Sequence, residues 1–254
     1  MVRPRQALLF AVALVVVSAL AWSVQQHQRQ SFEAQAGAAL PPGALLDTVE
    51  QAPPAVAPSP VAAAAVGDRP QIDPAWAQRT ASAAGIPVVA LTAYARATLL
   101  VPEGCRLGWT TLAGIGWVES HHGTIEDRLL AADGRSAPPI VGPALDGVGP
   151  VAAIAAPAGS HSWHGDDRWD HAVGPMQFIS DTWQRWASDG DGDGLEDPHD
   201  VDDAAFAAAR YLCASGADLA TGEGWSRAIF SYNHAESYVN SVRAAASFYA
   251  ARSR

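Results

Sequence analysis

Apolar side chains recur at helical spacing from about residue 73 to the end of the chain, as in Leu112, Ile115 and Val118. A repeat of three to four positions places such side chains on one face of an α-helix. The chain is therefore predicted to be mainly α-helical. The predicted helices cover residues 74–83, 88–100, 109–122, 182–188, 203–215, 224–232 and 236–251.

Two helix ends carry signals of their own. Gly123 follows the third predicted helix and can end it, because glycine adopts the left-handed conformation at little cost. Asn233 stands three positions before Glu236, a spacing that predicts a reciprocal cap at the start of the last helix. Residues 124–172 lack the helical period and are rich in Gly and Pro, so we expect a long insert with short strands there.

The N-terminus has the pattern of an export signal. Arg3 and Arg5 precede residues 7–24, which carry no charge and only two serines. This apolar run is intermediate in length between a cleaved signal peptide and a membrane-spanning helix. A small-residue cleavage site stands before Trp22. A cleaved signal peptide and a retained membrane anchor both stay open for residues 1–24.

Residues 25–72 differ in composition from the chain on either side. They are rich in Ala, Pro and Gln and hold few aromatic side chains. Such a composition buries too little surface to offset the entropy of ordering the chain. We therefore expect a disordered linker at 25–72 and a folded domain at 73–254.

The charge balance excludes several classes of function. All 16 basic residues are Arg, so chemistry that needs a lysine Schiff base is excluded. The formal net charge is −10, and no cluster of Arg is present. Nucleic acid is not expected as a partner, because affinity for it comes from neutralised phosphates.

The chain has two cysteines, Cys105 and Cys213, far apart in the sequence. In the oxidising compartment that an export signal implies, a disulfide is the default expectation for such a pair. Two separate buried thiols are the alternative. Neither a CxxC pair nor a CxxCH motif is present, so zinc ribbons and c-type haem have no support.

Residues 188–203 hold eight carboxylates and no basic residue. Like charges at this density repel one another unless a cation neutralises them. Counted from Asp189, carboxylates fall at positions 1, 3 and 5, glycine at 6, and Leu195 at 7, where an EF-hand presents a backbone carbonyl. The spacing predicts a structural calcium ion held by Asp189, Asp191, Asp193 and Leu195.

Spacing alone leaves the last ligand of this loop open. Asp200 occupies position 12, where an EF-hand has a bidentate Glu, and Pro198 precedes it. The chain can instead close the site with Asp202 or Asp203. The alternative to a calcium site is a solvated turn in which Asp203 caps the next helix.

Glu119 lies near the C-terminal end of an otherwise apolar predicted helix, in the segment WTTLAGIGWVESHHG. An apolar setting raises the pKa of a carboxyl group, as a general acid working near neutral pH requires. A lone Glu on a helix is more often a solvated surface residue. Two later segments, AVGPMQFISDTW and FSYNHAESYV, favour a catalytic role for Glu119 over a solvated surface position.

These three segments, in this order, resemble the lytic murein transglycosylases of the soluble, lysozyme-like type, specifically the branch similar to membrane-bound lytic transglycosylase B. The resemblance extends over about residues 74–251 and rests on Glu119-Ser120, on the GPMQF element and on Tyr232-Asn233. It implies a mainly α, lysozyme-like helical domain with an EF-hand-like calcium loop and a long Gly/Pro-rich insert.

The resemblance also implies an activity. Such an enzyme is a carbon–oxygen lyase that cleaves the β-1,4 bond between N-acetylmuramic acid and N-acetylglucosamine of peptidoglycan and leaves a 1,6-anhydro-muramyl end. Glu119 would be its single general acid and base, with no catalytic cofactor. The family's calcium loop ends beyond position 12, which favours Asp203 over Asp200. The implied sugar-binding residues are Ser120, Gln177, Tyr211, Tyr232, Asn233 and Tyr238.

Partners and location follow from the same resemblance. The expected partners are the glycan strands of peptidoglycan and, if residues 1–24 are retained, the membrane. We expect a monomer outside the cytoplasm, in the cell envelope, either membrane-anchored or secreted. A bridge between Cys105 and Cys213 fits that compartment.

Three other functions stay open. A lysozyme-type hydrolase needs a second carboxylate, which Asp166, Asp167 or Asp170 would supply. A zinc-dependent wall hydrolase is suggested by five His within residues 121–171, although neither HExxH nor HxHxDH is present. A non-catalytic glycan-binding module is the third, but it would gain nothing from a buried Glu119.

Overall fold

The computed structural model describes residues 52–53, 56, 58, 60–66, 69–149 and 152–253. The predicted export segment at 1–24 lies outside the described residues, as does most of the predicted linker. Thr48–Arg254 forms one compact unit. Everything below concerns the described part of that unit.

The described residues are mainly helical, as the sequence predicts. The helices are α1 Pro74–Ala84, α2 Val88–Leu100, α3 Trp109–Ser120, α4 His161–His164, α5 Ser180–Trp186, α6 Val201–Gly216, α7 Gly222–Tyr232 and α8 Glu236–Arg252. Single 3₁₀ turns lie at Glu103–Cys105 and Ile125–Asp127. The strands are β1 Pro60–Val66, β2 Arg69–Ile72, β3 Leu129–Leu130 and β4 Ser136–Ala137.

Helix α3 lies at the centre of the core, and Trp109, Leu112 and Ile115 are fully buried there. Two glycines allow close approach of its neighbours. A side chain at Gly114 would lie 2.8 Å from the Val242 carbonyl of α8, and one at Gly116 would collide with a tyrosine hydroxyl of α2. Glycine at these positions therefore lets two helices pack tightly around α3, at a modest cost in helix propensity.

Several predicted helix ends are wrong in detail. Helix α3 ends at Ser120, because His121 takes the left-handed conformation with φ 51° and stops the helix before Gly123. Helix α6 begins at Val201, because the Asp200 carboxylate accepts the backbone N–H of Asp202 and caps it. The alternative of Asp203 as the cap is therefore also wrong.

The reciprocal cap predicted at Asn233 is absent from the described structure. The residue that precedes α8 is Ala235, and it makes no side-chain capping hydrogen bond. Asn233 instead follows α7, with extended backbone angles, and its side chain is exposed. Helix α5 also begins two residues before its predicted start, at Ser180.

The insert forms short strands, as predicted, and they reach the motif that follows it. Strands β3 and β4 form an antiparallel hairpin. Val141 pairs with Val173 through an isolated antiparallel bridge, and Val173 pairs in the same way with Phe178. The insert therefore lies against the segment that carries the GPMQF element.

The predicted disordered linker is wrong at its C-terminal end. Strands β1 and β2 pair antiparallel within residues 60–72. The anchor is Ile72, which is buried against Ala77 of α1 and Ala95 of α2. Apolar contact at this one position supplies the burial that the Ala/Pro-rich composition does not indicate.

Cys105 and Cys213 are joined by a disulfide, with their Cα atoms 5.4 Å apart. The bond ties the segment before α3 to α6. Within the described part of the chain, no single helix is long and apolar enough to cross a membrane. The bent pair α1 and α2, at 116°, meets those criteria only when the two helices are taken together.

Candidate active site

Glu119 is held at the end of α3 by a tyrosine of α8. The Tyr238 hydroxyl donates a 2.5 Å hydrogen bond to Oε1 of Glu119. The Glu119 side chain remains partly exposed, so a substrate can reach it. Burial nevertheless raises the pKa of this carboxyl to about 7, and the Tyr238 hydrogen bond opposes part of that rise. The carboxyl can therefore release and regain a proton near neutral pH.

A second tyrosine stacks on the first. The rings of Tyr232 and Tyr238 lie 6.3 Å apart and nearly parallel, and the Tyr232 hydroxyl donates to the Met176 carbonyl at 2.8 Å. Burial and the nearby Glu119 charge raise the pKa of both phenols well above the usual range. Both hydroxyls therefore stay protonated and act as neutral donors.

Tyr211 and Asn233 lie beside this stack but differ in exposure. The ring of Tyr211 packs edge-on against Tyr232, and its hydroxyl donates to the Ser231 carbonyl at 2.5 Å. Asn233, next in the chain to Tyr232, is exposed. Tyr211 thus supports the stack, whereas Asn233 has its amide open to solvent.

The GPMQF element is a tight turn held against the end of α3. Gly174 and Gln177 both have positive φ, 74° and 50°. The Gln177 backbone N–H donates to the Gly174 carbonyl, and its side-chain Nε2 donates to the same oxygen at 3.0 Å. A non-glycine residue in this conformation is uncommon and marks a position fixed by its surroundings.

Ser120 is the link between this turn and α3. Its hydroxyl donates to the Pro175 carbonyl at 2.6 Å and accepts the Gly123 N–H at 2.8 Å. The side chain is fully buried. Ser120 therefore positions the turn beside Glu119, and its hydroxyl is not available to a sugar.

A buried histidine behind α3 was missed by the sequence analysis. His122 lies between two phenols, with Nδ1 3.2 Å from the Tyr94 hydroxyl and Nε2 2.8 Å from the Tyr249 hydroxyl. Burial lowers the pKa of His122 to about 3, so the ring is neutral. These partners come from α2 and α8, 28 and 127 positions away, and no local pattern indicates them.

The acidic loop brings together three of the predicted metal ligands. One carboxylate oxygen from each of Asp189, Asp191 and Asp203 lies within 4.8 Å of the others. Such a set of hard oxygen donors fits Ca²⁺. Asp203 is buried, and it accepts the backbone N–H groups of Gly190 and Asp197 at 2.7 and 2.9 Å. It therefore ties the two arms of the loop together.

The remaining candidates of the loop lie outside this group. The Asp193 carboxylate accepts the Leu195 N–H at 2.8 Å. Asp200 pairs with Arg135 of the insert at 3.2 Å and caps α6. Asp202 is ion-paired with Arg96 of α2. Asp203, not Asp200, is thus the distal carboxylate that approaches Asp189.

The loop and the GPMQF turn are in direct backbone contact. A side chain at Gly174 would collide with the Pro198 carbonyl. On the other side of the loop, the Val201 N–H donates to the Gly134 carbonyl of the insert at 3.0 Å. His199 Nε2 lies 2.8 Å from the Trp163 carbonyl. The return arm of the loop therefore supports both the turn and the insert.

The three carboxylates considered for a hydrolase have other partners. Asp170 is fully buried and accepts the Ser180 N–H and hydroxyl at 3.0 and 2.5 Å. The Asp166 carboxylate accepts the N–H groups of Arg168 and Trp169, and these hydrogen bonds lower its pKa to about 2. Asp167 is 87% exposed and lies 2.8 Å from His161. Asp170 and Asp166 thus stabilise the insert.

Within the described residues, neither a metal-ligand group that contains histidine nor the groove beside Trp117 adds a second centre. In the described ranges, the group of three or more close metal-type ligands contains Asp alone and no His. A groove of about 480 Å³ lies between the α1–α2 turn and the Trp117 side of α3. Trp117 and Glu119 are two positions apart on the helix and so point in nearly opposite directions. Glu119 does not line this groove.

Comparison with protein-family models gives a match over part of the chain. Residues 161–228 match the family model described as Transglycosylase SLT domain. This match supports a relationship to lytic transglycosylases, which act on peptidoglycan. The matched segment contains the GPMQF turn and the acidic loop, but Glu119 and Tyr232 lie outside it. No curated protein and no solved structure gives a significant match.

Proposed function

We propose that the protein is a lytic transglycosylase that cleaves the β-1,4 bond between N-acetylmuramic acid and N-acetylglucosamine and forms a 1,6-anhydro-muramyl end. The observation that carries the proposal is the hydrogen bond from Tyr238 to Glu119, a partly exposed acid with a pKa of about 7 that lies next to a turn within the matched transglycosylase segment. The same proposal includes the similarity of this protein to the branch of membrane-bound lytic transglycosylase B.

The first step is a proton transfer. Protonated Glu119 donates to the glycosidic oxygen, and the C1–O bond of the muramyl residue breaks as the N-acetylglucosamine end leaves with that proton. The acetamido oxygen of the muramyl residue stabilises the positive charge that develops at C1. This assistance by the substrate replaces the second carboxylate that ordinary glycosidases need.

The second step returns the proton. Glu119, now a carboxylate, takes the proton of the muramyl C6 hydroxyl, and the C6 oxygen bonds to C1 to close the anhydro ring. Glu119 ends protonated, and no water is consumed. A pKa near 7 serves both steps, because the group must be acidic enough to donate and basic enough to accept.

The sugar contacts are assigned to the residues around Glu119. Gln177, Tyr232 and Tyr238 would line the cleft, since they belong to the turn or to the stack beside the acid. Asn233, exposed and next in the chain to Tyr232, would line it as well. Tyr211 would act behind them through its ring contact with Tyr232.

A structural Ca²⁺ belongs to this proposal. Asp189, Asp191 and Asp203 would hold it, and Asp193 and the Leu195 carbonyl are the further candidate ligands. A bound Ca²⁺ would neutralise the crowded carboxylates of the loop. The three close oxygens support this assignment. Because the loop contacts Gly174, it would brace the cleft and take no part in the chemistry.

The cellular setting is proposed from the N-terminal pattern. Residues 1–24 would export the chain and, if retained, anchor it in the membrane. The folded domain would then act on the glycan strands as a monomer in the cell envelope. The disulfide between Cys105 and Cys213 supports an oxidising location.

Product analysis tests the proposal. The full chain and its Glu119→Gln variant would be incubated with isolated peptidoglycan, and the released fragments identified by mass spectrometry. Anhydro-muramyl products are expected from the wild-type chain, and their yield should fall by at least about 100-fold in the variant. Glu103→Gln, a change at an exposed acid of the 3₁₀ turn, should leave the yield unchanged.

Two other outcomes would contradict the proposal. Fragments with reducing ends would indicate hydrolysis and a lysozyme-type enzyme. Retention of glycan strands without release of any fragment would indicate a binding module. A folded wild-type chain, verified by circular dichroism, is needed for either conclusion.

A further inference from the structure

Gln177 lies where the insert meets the GPMQF turn. Pro175, two residues earlier, accepts the hydrogen bond from Ser120, the neighbour of Glu119. The carbonyl of Met176 accepts from Tyr232. The Gln177 side chain therefore extends from a turn that is fixed to both sides of the proposed acid. The outer end of this side chain lies against the insert, at Gly142.

The insert supplies the neighbour of the Gln177 amide oxygen. A Cβ atom placed on Gly142 would lie 3.0 Å from Oε1 of Gln177, which is closer than most real Cβ contacts. At the other end of the amide, Nε2 donates to the Gly174 carbonyl. The amide is thus confined between the turn and residue 142 of the insert.

Gly142 itself is held in place on both sides. Its N–H donates to the Ala172 carbonyl at 2.8 Å, and its carbonyl lies 2.8 Å from Nδ1 of His171. The neighbouring bridge between Val141 and Val173 keeps the two segments in register. The backbone at Gly142 therefore cannot withdraw easily from Gln177.

Glycine is not required here by backbone conformation. The φ of Gly142 lies outside the left-handed region, and Pro143 follows, which favours an extended residue before it. An L-residue fits such a backbone without strain. A Cβ atom there would meet the Gln177 amide oxygen first, at 3.0 Å, and the Ala172 carbonyl oxygen next, at 3.3 Å. The nearest group for which glycine leaves space is therefore the Gln177 amide.

We propose that Gly142 is a positioning residue of the cleft: by leaving room for the Gln177 amide, the insert sets the direction in which Oε1 accepts a hydrogen bond from the sugar. The inference rests on the proposed function and adds to it a role for the insert. With Nε2 directed at Gly174, Oε1 is the acceptor that remains for a hydroxyl or acetamido N–H of the glycan.

The first test does not use activity. In ¹H–¹⁵N spectra of the full chain, the Gln177 side-chain signals are assigned by their absence in Gln177→Ala. Gly142→Ala should shift these signals, because the added methyl group displaces the amide. Gly104→Ala is the matched control, since Gly104 also has no left-handed φ and has open space around it. Unshifted Gln177 signals in Gly142→Ala would overturn the proposal.

The second test is a double-mutant cycle on peptidoglycan cleavage. Gly142→Ala should lower kcat/KM about tenfold, the size expected for loss of one hydrogen bond. In a Gln177→Ala background the same change should alter kcat/KM by less than about twofold. Full additivity would show that Gly142 acts independently of Gln177 and would also overturn the proposal.

Two controls separate the possible failures. If the wild-type chain releases no fragments, the proposed function fails, while the spectra still test the contact. If Gly142→Ala does not fold, the change is repeated with Ala172→Gly, which removes the third neighbour of the added methyl group, the Ala172 methyl group at 3.5 Å. The predicted shift of the Gln177 signals is the same in that background.

Discussion

The Tyr238 hydroxyl donates a 2.5 Å hydrogen bond to the one carboxyl, Glu119, that we propose as both acid and base. Two effects act on the pKa of Glu119 in opposite directions. Burial disfavours the ionised carboxylate and raises its pKa, whereas the hydrogen bond stabilises it. Tyr238 thus sets how far above its ordinary value the Glu119 pKa lies.

We predict that Tyr238→Phe moves the pH profile of cleavage. Removing the hydroxyl destabilises the carboxylate, so the pKa of Glu119 rises further above about 7. The acid form then persists to higher pH, and the alkaline limb of kcat/KM should shift upward. The control is Tyr211→Phe, because that hydroxyl bonds Ser231 and not the acid. An unmoved limb in Tyr238→Phe would contradict the role of this hydrogen bond.

We predict that Gly174→Ala destabilises the fold far more than Gly165→Ala. Both glycines have left-handed φ, 74° and 77°, and an L-residue there costs about 1–2 kcal/mol. Only Gly174 also abuts a carbonyl, that of Pro198, whereas Gly165 has open space. Urea unfolding should give a loss of about 3–5 kcal/mol for Gly174→Ala. Equal losses in the two variants would argue against the loop–turn contact.

We predict that His122→Phe lowers stability and flattens its pH dependence. The change leaves the phenols of Tyr94 and Tyr249 without their imidazole partner, which should cost about 2–4 kcal/mol. The folded ring has a pKa of about 3 against 6.5 ordinarily, so the unfolded chain binds an extra proton between these values. Wild-type stability therefore falls as pH drops below 6.5.

The flattening separates this effect from a general loss of packing. Urea unfolding at pH 7 and at pH 4.5 should show a smaller difference for His122→Phe than for the wild-type chain, because the variant lacks that proton. His161→Gln, a change at a mostly exposed ring, should keep the wild-type difference. Identical differences for all three chains would mean that His122 is not held neutral.

We predict that removing Ca²⁺ lowers the melting temperature without abolishing cleavage. With Ca²⁺ at 100 times its Kd, binding contributes about 2.7 kcal/mol, and its loss to a chelator should lower Tm by about 5–10 °C. Asp203→Asn should lose this response, since Asp203 is one of the three close carboxylates. A Tm that is unchanged by both Ca²⁺ and chelator would contradict the metal assignment.

Features that are set by residues close together in the sequence could be predicted. Features that are set by residues far apart in the sequence could not. Helix α2 begins and ends where predicted, at Val88 and Leu100, because prolines stand just outside both ends. The left-handed His121 was missed, because its conformation is imposed by the packing of the following His122 between two distant helices. Local propensity favours Gly123 for that role.

The candidate site shows the same difference between local and long-range features. Glu119 and the GPMQF turn were predicted as parts of the site from segments of a few residues. Ser120 was predicted as a sugar contact, yet its partner Pro175 lies 55 positions away, and that contact gives it a supporting role. Spacing alone left Asp200, Asp202 and Asp203 open as the last loop ligand, because the partner of Asp200, Arg135, lies in the distant insert. Long-range partners therefore decide which polar residues have a supporting role and which stay available to a ligand.

The contact between Gly174 and the Pro198 carbonyl also bears on where foreign sequence can be added to this protein. Residues 191–196 are exposed, as positions that tolerate a fluorescent tag or an affinity epitope usually are. Asp191 and the candidate ligands Asp193 and Leu195 lie among them, however, so an insertion there would disrupt the proposed calcium site. A tag placed a few residues later, beside Pro198, would press on the Gly174 backbone and so distort the GPMQF turn next to Glu119.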